Sequence, residues 1–580
     1  MEWFHPTTTT ATDYERQEIQ YRDQIDEAPG TNNLVDVGGD RSNVQHSSGH
    51  IVLIPQPSAD PNDPLNWSLL RKVWFMSQAI MSTFLICCLT AIFGITMKGF
   101  ASVGISTGTV NQGTAASFLL FGWLNVLFQP LSISYGRRFM VIMMTFGCGV
   151  AGVMWNAYTF SNGSFYGARI LQGILGAPVE SLIELLVADV FFEHERAFWM
   201  SLYGFALNGG TFFGPLAGAW IAQNMSWQWV FYFIAIFCGA CGVVMLFCFE
   251  ESGYNRSAAT IEGVSPTGEV HENADANTSE KDPETKQDFT TDAGNSADGE
   301  NSADGENSAD EGNSANVIMQ NSSPPEPKSY WKRMQLFTRL RPFPTFWRFM
   351  RPIIILYKLP HIQWAGWMVA SSLCGFQVVT GTITSTFAAE PYNFSEGAIG
   401  LCYIGGAVGV LLGCFIAGPF NDWLCIRIAR NRGGVHEAED RIYGALPLII
   451  LFPAGYILYG VGAGHGIHWI GPVIGLGILG FCMSCSAVIP YTYSIDSAGG
   501  IGGDCIVSVV LMRNTISFAI TFGITPWIEG MGMQNAFISV AFIFGFAFWI
   551  TTIPMLLWGK ASRIRSARTY FNWVAEDGIE

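Results

Sequence analysis

The stretch VWFMSQAIMSTFLICCLTAIFGITM, from Val73 to Met97, holds no Asp, Glu, Lys or Arg and is long enough to cross a bilayer as one helix. Its apolar residues run continuously instead of alternating. That pattern favours a helix, because a segment in lipid must satisfy its own backbone hydrogen bonds, whereas a membrane β-barrel shows short alternating segments. Comparable stretches follow at Gly113–Ser134, Phe139–Tyr158, Gly163–Ala188, Phe198–Ala222 and Gln228–Phe249. A second set runs at Ile362–Phe387, Gly397–Phe420, Tyr443–Gly460, Ile467–Pro490, Cys505–Trp527 and Gln534–Trp558. A long polar insert from about Glu250 to Lys358 parts the two sets, a layout that implies an integral membrane transporter.

The expected fold is therefore all-α and membrane-integral, with about twelve transmembrane helices in two six-helix bundles. Residues 1–72 read as a mostly disordered N-terminal tail, 73–249 as the first bundle, 250–361 as a linker, 362–558 as the second bundle and 559–580 as a C-terminal tail. Composition agrees: of 580 residues 49% are hydrophobic and only 13% charged, with a mean hydropathy of +0.29. The net charge of −16 does not point to a basic partner, because the acids gather in the tail before Trp67 and in the insert, where low apolar content favours disorder.

Orientation follows from Lys and Arg. With the amino terminus in the cytoplasm, Arg71, Lys72, Arg137, Arg138, Arg196, Arg427, Arg430, Arg432, Arg441, Lys560, Arg563, Arg565 and Arg568 all fall on the inner side, and the outer loops keep Lys98. Both termini are then cytoplasmic and the number of spans is even. No apolar run opens the chain, so the first span is expected to act as its own insertion signal. Asn162, Asn224 and Asn393 begin glycosylation sequons, but in outer loops too short to favour modification.

The 13 cysteines lie in or beside spans, which gives no disulfide framework. The spacings Cys238/Cys241 and Cys482/Cys485 sit inside apolar helices with no His or acid beside them, so packing explains them better than metal or redox chemistry. His465 and His468 occupy a short outer turn, as interface residues. Neither a metal nor a cofactor is expected. The insert repeats NSADGE at Asn295 and Asn301, then NSADEG at Asn307, a composition that buries no core and reads as linker. Beside it, Tyr330 to Arg351 mixes Trp331, Phe337, Phe343, Phe346 and Trp347 with Lys332, Arg333, Arg339, Arg348 and Arg351, which suggests an interfacial helix on anionic headgroups, interrupted near Pro342 and Pro344.

Charges inside a span are expensive and by default functional, so the fourth span, ARILQGILGAPVESLIELLVAD, is the most informative. As one regular helix it sets Arg169, Glu180 and Glu184 on one face, with Glu180 roughly 16 Å below Arg169, near mid-membrane, and Asp189 at the cytoplasmic surface. A carboxyl there can carry a proton, because lost hydration favours the neutral form and a nearby cation restores the charged one. Competition of proton and substrate for one carboxylate is the simplest antiport scheme; an ion pair that only locks helices together is the alternative. Arg169 could hold an anionic group or tune Glu180. Asn125, Gln129, Asn208, Gln377, Arg513 and Asn514 could line the cavity or bond neighbouring helices, and Arg513 weighs most because its charge lies about three turns inside the membrane. The sequence leaves its partner open, although Asp496 and Asp504 lie in the preceding loop.

Several motifs resemble the major facilitator superfamily across both halves. QPLSISYGRR is similar to its first cytoplasmic motif and ends in Gly136, Arg137 and Arg138, although Gln129 stands for the usual glycine and Ile133 for the usual acid. Gly418 and Asp422 keep a better copy in the second half. The resemblance implies a gating role for these residues, together with Asp189 and Arg196. Arg169, Gln172 and Gly173 resemble the RxxQG motif associated with proton coupling. Gly210, Gly214, Pro215 and Gly218 match the GxxxGPxxG pattern associated with antiporters; small residues at that spacing also permit close helix approach by themselves. PNDPLNWSLLRK, ADVFFEHERA, SWQWVFYF and RNRGGVHEAEDR carry a nearer likeness to the fungal drug:proton antiporter family with twelve spans, in particular its branch of polyamine and histidinol-type organic-cation transporters.

The resemblance implies two bundles rocking about a midplane site under a proton gradient. The expected function is proton-coupled export of a small organic compound, a drug or secondary metabolite, across the plasma membrane; aromatic residues, 14% of the chain, suit a greasy cavity. Uptake of an organic cation such as a polyamine is the alternative, and a non-transporting nutrient sensor a third. The expected partners are a small-molecule substrate, a proton and the lipid bilayer, with no nucleic acid and a monomeric chain. The soluble segments hold no nucleotide-binding loop or catalytic motif, so an enzyme is not expected.

Overall fold

A computed structural model describes residues 29–33, 60–254, 328–338, 343–433 and 435–579. The acidic repeat and most of the N-terminal tail, both read as disordered from sequence, lie outside the described residues.

Within them, ten helical segments are long and apolar enough to cross a membrane. They comprise α1 (Leu69–Gly94), α2 (Thr107–Tyr135), α3 (Arg137–Ala157), α4 (Asn162–Val190), α6 (Trp227–Cys248), α8 (Glu396–Asn431), α9 (Ala438–Gly464) and α10 (Ile470–Ser497), with two more in the last stretch of chain. That stretch divides into α11 (502–531) and α12 (533–579) at Gly532, which takes φ +75°. Two further long helices, α5 (Glu193–Asn224) and α7 (Pro360–Ala388), complete the twelve. Both face the central cavity, with Asn208 and Thr211 of α5 and Gln377 and Thr380 of α7 among its lining residues.

Local chemistry sets several ends. Ser106, Ser161 and Ser395 each precede a helix and accept a backbone N–H of its first turn. Inside α4, Gly176 and Pro178 disrupt the regular ladder, and Ala177–Glu180 form a 3₁₀ turn before the helix resumes at Leu182.

The two halves meet where α2 packs on α11 and α5 on α8 and α10. We call the side where the chain enters α1 and leaves α6 the linker face, and the opposite side the far face.

Four expectations are corrected. The last helix does not stop at Trp558: it runs on to Ile579, anchored by buried Arg563, which pairs with Glu439. Likewise α8 continues past Phe420 to Asn431. Asp496 and Asp504 lie within α10 and α11, not in a loop. The basic-aromatic segment forms a short turn, Tyr330–Arg333, and a helix, Phe346–Lys358, with Arg348 and Arg351 facing the protein. Arg351 reaches Asp504 at 3.0 Å, while Phe346 and Tyr357 stay 71% and 83% exposed. Aromatic rings, not these two guanidinium groups, therefore face outward, since a buried carboxylate is a stronger partner for Arg351 than a solvated headgroup.

Candidate functional site

The break in α4 decides what reaches the interface between the halves. Ser181 leaves the helical region (φ −134°, ψ −33°), and its hydroxyl donates to Asn125 Oδ1 of α2 at 2.7 Å. Tyr203 of α5 donates to the Val179 carbonyl oxygen at 3.0 Å. Held on two sides, the turn directs Glu180 across to the second half. There Arg513 pairs with one Glu180 oxygen and Asn514 Nδ2 donates to the other. Arg513 also donates to the Tyr491 hydroxyl at 3.3 Å. Arg513 thus has Glu180 as its partner, and neither Asp496 nor Asp504.

Glu184 lies one turn further on, fully buried, and neither of its oxygens has a hydrogen-bond partner among the described residues. Arg513, Glu180 and Tyr203 are its electrostatic neighbours. Glu180 is thus paired with the guanidinium, and Glu184 is a second buried carboxyl near it with no hydrogen bond or ion pair of its own among the described residues.

The regular-helix phase that sets Arg169, Glu180 and Glu184 on one face fails at the 3₁₀ turn. Of the three, Glu180 lines the central cavity; Arg169 stays inside the first half, its guanidinium 3.9 Å from the centroid of the Phe93 ring and donating to Gln172 Oε1 at 2.8 Å. Gln172 in turn accepts from Asn156 at 3.3 Å. The RxxQG residues thus tie α4 to α3 and α1, some distance from the carboxyl pair.

The cavity extends from Glu180 and Arg513 towards the far face. Its walls are mostly apolar and aromatic, with Phe93, Phe118, Phe121 and Phe376, and Asn208 and Gln377 are among its polar points. On the linker side the halves are closed. Arg196 of α5 lies 3.7 Å from Asp496 of α10, which also pairs with Arg441; Arg441 in turn holds Asp422 at 2.9 Å. Gly418 packs against Ser201 of α5, and the Gln129 amide abuts Gly503 of α11.

In the QPLSISYGRR stretch, Arg137 pairs with Asp189. The acid missing at Ile133 has a substitute that sequence spacing does not reveal. Glu251, just past α6, accepts the Arg137 and Arg138 backbone N–H groups at 2.9 and 3.0 Å, a carboxylate at the start of α3. The Arg138 side chain donates to the carbonyl oxygens of Leu246 and Phe249, both at 2.6 Å. Gly136 is needed for its φ of +97° and because a Cβ would stand 2.5 Å from Glu251. In the antiporter-type motif, a Cβ at Gly214 would stand 2.6 Å from the Cys88 carbonyl oxygen, so Gly214 serves the close approach of α5 to α1. Gly210 packs there too, and none of Gly210, Gly214, Pro215 and Gly218 lines the cavity.

Residues 79–503 match the family model described as Major Facilitator Superfamily. An uncharacterized MFS-type transporter of Schizosaccharomyces pombe is 28% identical, the match covering 95% of each chain. Protein HOL1 of Saccharomyces cerevisiae is 26% identical over 96% of this chain and 99% of its own. The efflux pump FUB11 of Gibberella moniliformis is 24% identical over 88% of this chain and 76% of its own. A match across most of the chain, on twelve helices in two halves around a central cavity, places this protein in the Major Facilitator Superfamily, as a transporter.

Proposed function

We propose that this transporter is a proton-coupled exporter of a small organic compound, a cationic or amphiphilic drug or metabolite, acting as a monomer in the plasma membrane with both termini cytoplasmic. One observation carries the reading: Glu180 pairs with the guanidinium of Arg513 where the two halves meet, and a second buried carboxyl, Glu184, stands one turn away without a hydrogen-bond partner among the described residues. Buried charge is tolerated there only while paired. A proton arriving from the far, external side converts one carboxylate to a carboxyl and loosens the tie between α4 and α11. The halves can then part on the linker side. A cationic substrate entering from the cytoplasm takes over as counter-ion, and the proton leaves to cytoplasmic water; one proton moves in as one substrate moves out. Closure returns the site to the far-facing form described above. Phe93, Phe118, Phe121 and Phe376 would supply apolar and cation–π contacts, and Asn208 and Gln377 hydrogen bonds.

A second reading, uptake of an organic cation such as a polyamine, is favoured by the same carboxyl pair, which suits a cation arriving from the far side equally well. The direction of proton movement separates the two. Substrate-dependent proton flux is measured in sealed proteoliposomes with an imposed pH gradient, across polyamines, cationic drugs and aromatic metabolites. Protons moving against the substrate support export, and protons moving with it support uptake.

A further inference from the structure

At the linker face a short piece of the N-terminal tail docks on the second half. Residues Thr31–Asn33 (β1) pair antiparallel with Val435–Glu437 (β2) in the loop after α8, Thr31 opposite Glu437 and Asn33 opposite Val435. The Pro29 carbonyl oxygen accepts from the fully buried Arg563 of α12. Between them Gly30 takes φ +83°, and a Cβ on it would stand 2.5 Å from the Asp496 carbonyl oxygen and 2.7 Å from Ser497 Cα. Glycine is therefore required twice here, for conformation and for space.

The groove adjoins the gate. Asp496, whose backbone Gly30 covers, is the carboxylate that joins Arg441 to Arg196 of the first half. Glu437, opposite Thr31, caps the turn that carries Arg441, with Asp440 Oδ2 accepting the Glu437 N–H at 3.1 Å. One segment thus braces from behind the Asp496 side of the cross-half contact and the turn that carries its companion Arg441, both in the second half.

We propose that Pro29–Asn33 is an intramolecular ligand of this groove, recognised by strand pairing, and that its docking stabilises the conformer closed at the linker face. Residues 34–59 separate it from the described chain before α1, so the segment can leave and return without diffusing away. The reading does not depend on the coupling ion or the substrate.

The full-length chain carrying Gln129→Cys provides a reporter, since Gln129 is buried between the halves on the linker side and its amide has no hydrogen-bond partner among the described residues. Labelling in detergent by a polar thiol reagent, in excess of the parent chain, reads opening. Adding Gly30→Val is expected to raise the labelling rate about tenfold, the scale of the penalty for a side chain in the left-handed region. A synthetic peptide of residues 27–35 added in trans should restore the slow rate, and the same peptide with Gly30→Val should not. Truncation before Leu34 gives a second, strain-free route to the undocked form. Unchanged labelling in both variants, or rescue by the substituted peptide, overturns the proposal.

Discussion

Replacing Arg513 by Met removes the guanidinium that pairs with buried Glu180 and lies near buried Glu184, and the structure sets how much that should matter relative to the reciprocal change. Arg513 and Glu180 are 4% and 6% exposed, so the pair is largely withdrawn from solvent. Arg513→Met leaves Glu180 with Asn514 alone and Glu184 with no hydrogen-bond partner and no counter-charge, a loss of about 3–5 kcal/mol by the usual behaviour of broken buried pairs. Glu180→Gln should be milder, about 1–3 kcal/mol, because Gln still accepts from Asn514 and Arg513 retains Glu184 as counter-charge and Tyr491 as acceptor. The double variant should fall below the sum of the two, since the interaction can be lost only once. Denaturation in micelles, followed by intrinsic fluorescence, orders the three proteins. Equal losses in the two single variants, or strict additivity in the double, would show that the pair is not coupled as described.

Other consequences concern the gate and the helix contacts. Gly214→Ala adds a Cβ 2.6 Å from a backbone oxygen of α1, and should lower stability by about 1–3 kcal/mol; a wild-type midpoint in the same denaturation assay contradicts the close approach. Arg137→Ala, which removes the partner of Asp189, should slow turnover with little change in substrate affinity, and a large affinity loss in a binding assay would refute the gating role. Glu251→Gln should weaken the start of α3 by about 1 kcal/mol while leaving KM unchanged; a raised KM would place Glu251 in substrate binding.

Continuous apolar stretches are legible because lipid imposes one local rule on every span, and among the described residues twelve long helices overlap the stretches read from sequence. Pairings between spans are not legible in the same way. Asn514 and Glu180, 334 residues apart, share no periodicity that could announce their contact. The 3₁₀ turn in α4 illustrates the limit: Gly176 and Pro178 signal a weak ladder, but how far Glu180 rotates depends on Asn125 and Tyr203 of two other helices. Hydropathy likewise underestimated α12, because Arg563 reads as a surface charge until Glu439 is seen opposite it. The role of Glu251 was hidden by its position at the edge of the acidic insert, where it looks like one more solvated acid.

Proton coupling through Glu180 is the central claim, and paired flux measurements test it directly. Wild type and Glu180→Gln, reconstituted at equal density, are compared for substrate movement driven by a pH gradient and for substrate exchange without one. The expected result is that Glu180→Gln abolishes the gradient-driven movement and its proton counterflow while exchange persists. Normal pH-driven accumulation by the variant would contradict the claim and leave the carboxyl with a structural role.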